Sequence, residues 1–168
     1  MARKKPRTIL FRRKSEKKTN YKKRLSLLLA GKPRLVIRFT NSRIIVQLVE
    51  FYAQGDKVLL AIDSSLLKKE GWKFSLNNLP AAYLIGLLFA KKAQELKIPE
   101  AVLDTGLLVP MKKGKAYALL KGALDGGLNI PHGSDDIFPD SERIEGKHIA
   151  KVIEHGKDTG QFTQYLKN

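Results

Sequence analysis

The chain has 168 residues, a formal net charge of +16, and a hydrophobic fraction of 43%. This length and composition fit one domain with a single core and exclude a fully disordered chain. The absence of cysteine excludes disulfides, zinc–thiolate sites and a cysteine nucleophile. The longest nearly continuous apolar run, residues 79–90, is too short to span a membrane, so we interpret it as a buried helix.

Positive charge is concentrated at the start of the chain. Residues 1–24 hold twelve Lys or Arg and one acid, whereas residues 25–168 hold twenty bases and fifteen acids. A segment this basic repels itself unless a polyanion neutralises it, and the alternatives are nucleic acid, an anionic membrane surface and solvent. We favour nucleic acid, because the segment lacks the broad apolar face of a membrane-surface helix.

The chain divides into a basic arm over residues 1–14, an α/β domain over 15–141, and a C-terminal helix and tail over 142–168. We expect the arm to be extended. Ser15 is the predicted N-cap of a helix that runs to about Ala30. Its inward stripe is predicted to be Tyr21, Leu25, Leu28 and Leu29. We interpret the basic remainder of this helix as a nucleic-acid contact, with an ordinary solvated face as the alternative.

Residues 34–40 and 43–49 predict a β-hairpin with the two-residue loop Asn41-Ser42. The register that this loop implies pairs Phe39 with Ile44, Ile37 with Val46, and Leu35 with Leu48, which makes one face entirely apolar. The other face carries Arg34, Arg38 and Arg43. Arginines in this arrangement can grip phosphates through paired hydrogen bonds, although a solvent-facing sheet also tolerates them.

The remaining elements alternate between strand and helix. We predict a strand at 57–63, a helical turn at 65–70, a helix at 79–96 capped by Asn78, a short strand at 101–105, a helix at 115–124, an irregular loop at 129–141, and a last helix at 141–155. Trp72 is expected in the core rather than against a base. This order predicts an α/β layered domain with a mixed sheet, in which a three-strand antiparallel meander gains one further strand.

An enzyme is the competing functional class. Asp63 and Asp104 end predicted strands, and with Asp125 they would be candidates to hold two Mg²⁺ ions in a metal-dependent nuclease. No Glu partner is placed near them, and the three histidines form no metal motif, so we predict no catalytic site. A DNA-compacting protein is a third alternative, but it would lack the large mixed core expected here.

Several ordered segments resemble ribosomal protein L18 of archaea, which is called L5 in eukaryotes. These segments are Asn20–Leu25, Gly31–Val36, Gly71–Lys73, Leu79–Gly86, Ala101–Leu107 and Lys121–His132. Gly146–Ile149 is similar to the archaeal C-terminal pattern, so we expect an archaeal protein.

The resemblance implies a ribonuclease-H-like fold of the translational machinery, used without catalysis, in the cytoplasmic ribosome. It implies a structural constituent of the large subunit that binds 5S rRNA and attaches it to 23S rRNA in the central protuberance. Neighbouring large-subunit proteins, including the other 5S-associated protein, would be further partners. The resemblance implies no membrane contact and no cofactor, with structural Mg²⁺ at the RNA interface left open.

Charge and resemblance together select the predicted RNA-binding residues. They are Arg3, Lys4, Lys5, Arg7, Arg12, Arg13, Lys14, Tyr21, Lys22, Arg24, Lys32, Arg34, Arg38, Asn41 and Arg43. Phosphate contacts would supply most of the affinity, while RNA shape would supply specificity. Stacking of Tyr21 or Phe11 on an unpaired base would add to that specificity, with core anchoring as the alternative. The acidic stretch 135–145 would face protein neighbours or solvent.

Overall fold

The computed structural model of the chain describes residues 9–147. Four of the predicted RNA-binding residues lie outside this range: Arg3, Lys4, Lys5 and Arg7. In chain order the described elements are α1 (Arg12–Ser15), α2 (Tyr21–Leu28), β1 (Arg34–Phe39), β2 (Ile44–Glu50), β3 (Lys57–Asp63), α3 (Leu66–Lys69), α4 (Leu79–Glu95), β4 (Val102–Asp104), α5 (Lys115–Asp125), a 3₁₀ turn (Asp135–Ile137) and α6 (Ser141–Ile144).

The four strands form one mixed sheet in the order β3-β2-β1-β4. β1, β2 and β3 form the predicted antiparallel meander, and β4 lies parallel to β1. The predicted hairpin register is confirmed: Phe39 faces Ile44, Ile37 faces Val46, and Leu35 faces Leu48. The register is well specified because a slip of one residue would turn these apolar side chains away from the core.

The core lies between one face of the sheet and helices α4 and α5. Leu35, Leu48, Phe89 and Leu119 are at most 1% exposed in this layer. Trp72 belongs to the same core, as predicted, and its indole Nε1 donates to the carbonyl oxygen of Ser75 at 3.2 Å. The opposite face of the sheet is therefore the one that remains to form a surface.

Helices α4 and α5 approach each other closely at two glycines. A Cβ on Gly86 would overlap with the carbonyl oxygen of Leu119, and a Cβ on Gly122 would overlap with the carbonyl oxygen of Tyr83. Asn78 caps α4 as predicted, because its Oδ1 accepts from the backbone N–H of Ala81 at 2.9 Å. The two helices thus form a tightly packed layer behind the sheet.

The prediction of one helix from Ser15 to about Ala30 is wrong. The short α1 ends at Ser15, Lys17 adopts a positive φ of 52°, and α2 begins only after Asn20. The side chain of Asn20 accepts from the backbone N–H of Lys23 at 3.1 Å, so this residue caps the helix in place of Ser15. Because α1 includes residues 12–14, the prediction of an extended arm is also wrong there.

The predicted inward stripe on α2 is wrong as well. The helix buries no side chain: Leu25 is 61% exposed and Leu29 is 80% exposed. The apolar residues of this segment do have helical spacing. They stay exposed because α4 and α5 already cover the apolar face of the sheet. At the other end, the predicted helix from Ser141 breaks at Gly146, whose φ of 75° favours glycine. The part of that prediction beyond residue 147 lies outside the described residues.

Candidate nucleic-acid interface

A cleft of about 750 Å³ lies between α2, with its preceding loop, and the face of the sheet opposite the core. Strands β1 and β2 contribute Val36, Gln47 and Val49 to its lining, and the loop after β4 contributes Gly106 and Leu107. Six basic side chains also line it: Arg13, Lys18, Lys23, Arg24, Arg34 and Arg38. The structure therefore brings the basic N-terminal segment and the arginine face of β1 into one concave surface.

Two aspartates neutralise part of this basic cleft. Arg34 donates from Nη2 to Oδ2 of Asp56 at 2.5 Å and from Nη1 to Oδ2 of Asp104 at 2.9 Å. Asp56 also accepts, through both carboxylate oxygens, from Nη2 of Arg24 at 2.8 Å. The four side chains carry two positive and two negative charges, so this network adds no net charge to the cleft.

Arg34 lies on the predicted face of the hairpin, but its side chain is not open to solvent there. Its side chain is only 4% exposed, because Asp56 and Asp104 enclose the guanidinium. Sequence alone does not show this enclosure, since Asp56 lies in the turn before β3 and Asp104 ends β4. Arg34 is a group that holds the cleft together, and its predicted contact with RNA stays a prediction.

Lys23 lines the cleft; it belongs to the predicted basic face of the helix but is not among the residues predicted individually to bind RNA. Its Nζ donates to Thr105 Oγ1 at 2.9 Å and to the carbonyl oxygen of Gly106 at 3.1 Å. Together with the pair of Arg24 and Asp56, this contact attaches α2 to the sheet through polar groups. The attachment explains how α2 keeps its place without burying a side chain. The sequence does not distinguish Lys23 from the neighbouring lysines, because all of them lie in one basic segment.

Other predicted basic residues differ in how free they are. The side chain of Arg38 is exposed and has no hydrogen-bond or ion-pair partner within residues 9–147, and the same holds for the side chains of Lys14 and Lys22. Arg13 donates from Nε to Thr19 Oγ1 at 2.9 Å. Arg12 and Lys32 each form an exposed ion pair, Arg12 with Glu16 at 3.8 Å and Lys32 with Glu100.

The turn of the β1–β2 hairpin is fixed from the side. Asn77 donates from Nδ2 to the carbonyl oxygens of Thr40 at 2.8 Å and Asn41 at 3.2 Å. Lys115 donates to Asn77 Oδ1 at 2.9 Å. Asn41 and Arg43 are exposed at this turn, and Arg43 forms an ion pair with Asp63 at 2.9 Å. The turn is thus a rigid, exposed extension of the sheet.

A second, smaller cleft of about 410 Å³ adjoins the first and shares Tyr21 with it. Three lysines line it, Lys14, Lys17 and Lys22, together with Leu107. The ring of Phe11 packs against that of Tyr21, with 5.3 Å between centroids and 50° between planes. The two clefts give α1 and α2 a continuous basic surface with an aromatic pair in it.

The acids considered for a nuclease each have another partner. Asp63 accepts from Arg43, Asp104 accepts from Arg34, and Asp125 accepts from the hydroxyl of Tyr83 at 2.9 Å. Within residues 9–147, no three His, Cys, Asp or Glu side chains are grouped so that they could hold a metal ion. The same part of the chain contains no helix long and apolar enough to cross a membrane.

Two comparisons with known proteins bear on the identity of the chain. A sequence model of the family described as "Ribosomal large subunit proteins 60S L5, and 50S L18" matches residues 7–101, more than half of the chain. The chain is also 47% identical over 163 residues to the large ribosomal subunit protein uL18 of Korarchaeum cryptofilum (strain OPF8). That alignment covers 95% of this chain and 83% of the relative. Both matches include the segment that supplies most basic side chains of the two clefts.

Proposed function

Because this chain belongs to the family of large-subunit ribosomal proteins L5 and L18, we propose that it binds 5S rRNA and attaches it to 23S rRNA in the central protuberance. Its role there is structural, and it carries out no chemical reaction. The 47% identity to an archaeal uL18 supports a place in the cytoplasmic ribosome of an archaeon. The single observation that carries the RNA-binding proposal is the basic cleft between α2 and the sheet.

The cleft suits a phosphate backbone because its cations stand on one rigid concave surface. Lys and Arg that neutralise phosphates release bound counterions, which supplies most of the affinity of such complexes. The free side chains of Arg38 in this cleft, and of Lys14 and Lys22 in the adjoining smaller cleft, are available for this role without breaking an ion pair within residues 9–147. Arg13 keeps most of its donors free, since only its Nε is engaged. Arg3, Lys4, Lys5 and Arg7 would extend the same contact.

The neutral network at the back of the cleft gives it shape instead of charge. Arg24, Arg34, Asp56 and Asp104 fix the distance between α2 and the sheet, so the free cations face the RNA at fixed positions. Recognition by shape is the usual mode for structured RNA, whose deep major groove hides base edges from side chains. Asn41 and Arg43 at the hairpin turn, and Lys32 beyond α2, would broaden the contact.

The proposal extends to the fold class, the cofactors and the protein partners of the chain. The mixed four-stranded sheet with helices packed on one face supports the ribonuclease-H-like architecture that the resemblance implies. We propose no cofactor, and structural Mg²⁺ would enter only as part of the folded RNA. Neighbouring large-subunit proteins, including the other 5S-associated protein, are the proposed protein partners.

A competition experiment tests the proposal. The full chain is bound to an archaeal 5S rRNA transcript, and heparin, transfer RNA and duplex DNA are added as competitors over a range of salt concentrations. We expect 5S rRNA to bind more tightly than any competitor by about tenfold or more, because the proposal requires the cation spacing to match the particular shape of 5S rRNA and not that of another folded RNA or of a duplex. Folded protein that binds heparin or duplex DNA as well as it binds 5S rRNA would contradict the proposal.

A further inference from the structure

We propose that Phe11 and Tyr21 form a subsite for one unstacked RNA base. This inference deepens the proposed function and rests on it. It assigns base recognition to this aromatic pair, whereas the cleft between α2 and the sheet is proposed to contact the phosphate backbone of the RNA.

Both aromatic rings are accessible to solvent. Phe11 is 72% exposed and Tyr21 is 38% exposed. Their centroids lie 5.3 Å apart and their planes are tilted by 50°, so the two rings do not cover each other in a parallel stack. Exposed aromatic faces are the stacking platforms that proteins present to single-stranded or looped nucleic acid.

The charge around Tyr21 is positive. The 410 Å³ cleft beside Tyr21 is lined by Lys14, Lys17 and Lys22 and by no acid. The nearest acid in sequence, Glu16, already accepts from Lys18 at 2.9 Å. A base that enters with its own phosphate and its neighbour's therefore meets uncompensated ammonium groups on flexible stems. An apolar protein segment would leave these three charges without partners, so the charge favours a nucleotide as the occupant.

Polar contacts hold the helix that carries Tyr21 in a fixed position. Asn20 caps α2 beside the ring of Tyr21, and Lys23 attaches that helix to the loop after β4. Leu107 of the same loop lines both clefts. The aromatic pair thus stands at a fixed place relative to the phosphate-binding cleft. A base within a continuous duplex stack offers no free face, so only a looped, bulged or flipped base fits.

The experiment compares ring loss with ring retention in the full chain. Phe11→Leu and Tyr21→Leu, singly and together, remove the rings but keep apolar side chains of similar size. Tyr21→Phe is the matched control, because it keeps the ring and loses only the hydroxyl. Binding is measured on an archaeal 5S rRNA transcript and on a fully paired RNA duplex, and the emission of the buried Trp72 confirms that each variant is folded.

We expect the double variant to bind the 5S transcript at least tenfold more weakly, in line with the effect of removing one stacked base. The slope of log K against log salt should stay unchanged, because no phosphate contact is lost. Tyr21→Phe should bind as the unaltered protein does, and duplex binding should not change. Equal affinity of the double variant and the unaltered protein for 5S rRNA would overturn the subsite, as would an equal loss on duplex. Both results leave the proposed function standing, since that fails only if the unaltered protein has no preference for 5S rRNA.

Discussion

The guanidinium of Arg34 donates to the carboxylate of Asp104 at 2.9 Å across the parallel pairing of β1 with β4, and both side chains are almost fully buried. Arg34 stands on the face of the sheet that points away from the core. Its burial therefore comes from α2 and the Asp56 turn above it, which form the wall of the cleft. The Arg34–Asp104 pair is therefore buried beneath the surface of the cleft. The Nε atom of Arg34 is buried and has no hydrogen-bond partner within residues 9–147.

Replacing Asp104 should destabilise the fold strongly. Asp104→Ala leaves the buried charge of Arg34 with Asp56 as its one remaining ion-pair partner within residues 9–147, and the loss of one member of a buried pair costs about 3 kcal/mol. Urea unfolding followed by the fluorescence of Trp72 measures this free energy. The control is Asp136→Ala, which breaks the exposed pair with Lys112 and should cost less than about 1 kcal/mol. Equal losses in the two variants would show that the network does not hold the cleft.

Replacing Arg38 should weaken RNA binding without changing stability. Arg38→Ala removes an exposed guanidinium that has no partner among residues 9–147, so the unfolding midpoint should stay the same. The affinity for 5S rRNA should fall, and the slope of log K against log salt should decrease by about one unit if one phosphate contact is lost. Lys91→Ala on α4, which packs behind the opposite face of the sheet, is the matched control and should leave the slope unaltered. An unchanged slope for Arg38→Ala would remove Arg38 from the interface.

Replacing Gly86 should disturb the packing of α4 on α5. Gly86→Ala places a methyl group against the carbonyl of Leu119 within a pair of packed helices, and overpacking of this kind costs about 1–3 kcal/mol. Gly133→Ala is the control, since a Cβ there meets no atom within 4 Å. Thermal unfolding of both variants measures the difference. A Gly86 variant as stable as the Gly133 variant would mean that the helices separate without cost.

Tyr83 should make stability fall at alkaline pH. Burial, followed by its hydrogen bond to Asp125, raises the pKa of Tyr83 from 10.0 to about 12. The folded protein therefore keeps this proton in a range where the unfolded chain has lost it. The stabilisation is fully present below pH 10 and is lost as pH rises toward 12. The stability of the Tyr83→Phe variant should fall less steeply across this range. Its absorbance titration at 295 nm should lack the tyrosine that ionises at about pH 12. The same alkaline decrease in both proteins would contradict the assignment.

Local pattern was enough to predict most of the fold. Alternating apolar residues in β1 and β2, together with the two-residue loop, specified the hairpin register, because a slip of one residue would expose the apolar side chains. Asn78 and the apolar run after it predicted the start of α4 exactly, since capping is decided by neighbours in sequence. The N-terminal helices were predicted less well, because Ser15 ends α1 and does not cap a longer helix, and a positive φ at Lys17 separates α1 from α2.

Composition and spacing were sufficient to indicate a basic, mixed α/β domain, its sheet register, and the part of the chain that carries the positive charge. They could not indicate which cations stay free. Arg34 and Arg38 lie on the same face of β1 and carry the same guanidinium group. Within residues 9–147, however, only Arg34 contacts carboxylates, those of Asp56 and Asp104, which lie 22 and 70 residues away in sequence. Contacts over such separations depend on how strands and loops are placed in space, and so only the folded chain distinguishes a structural arginine from one available to RNA.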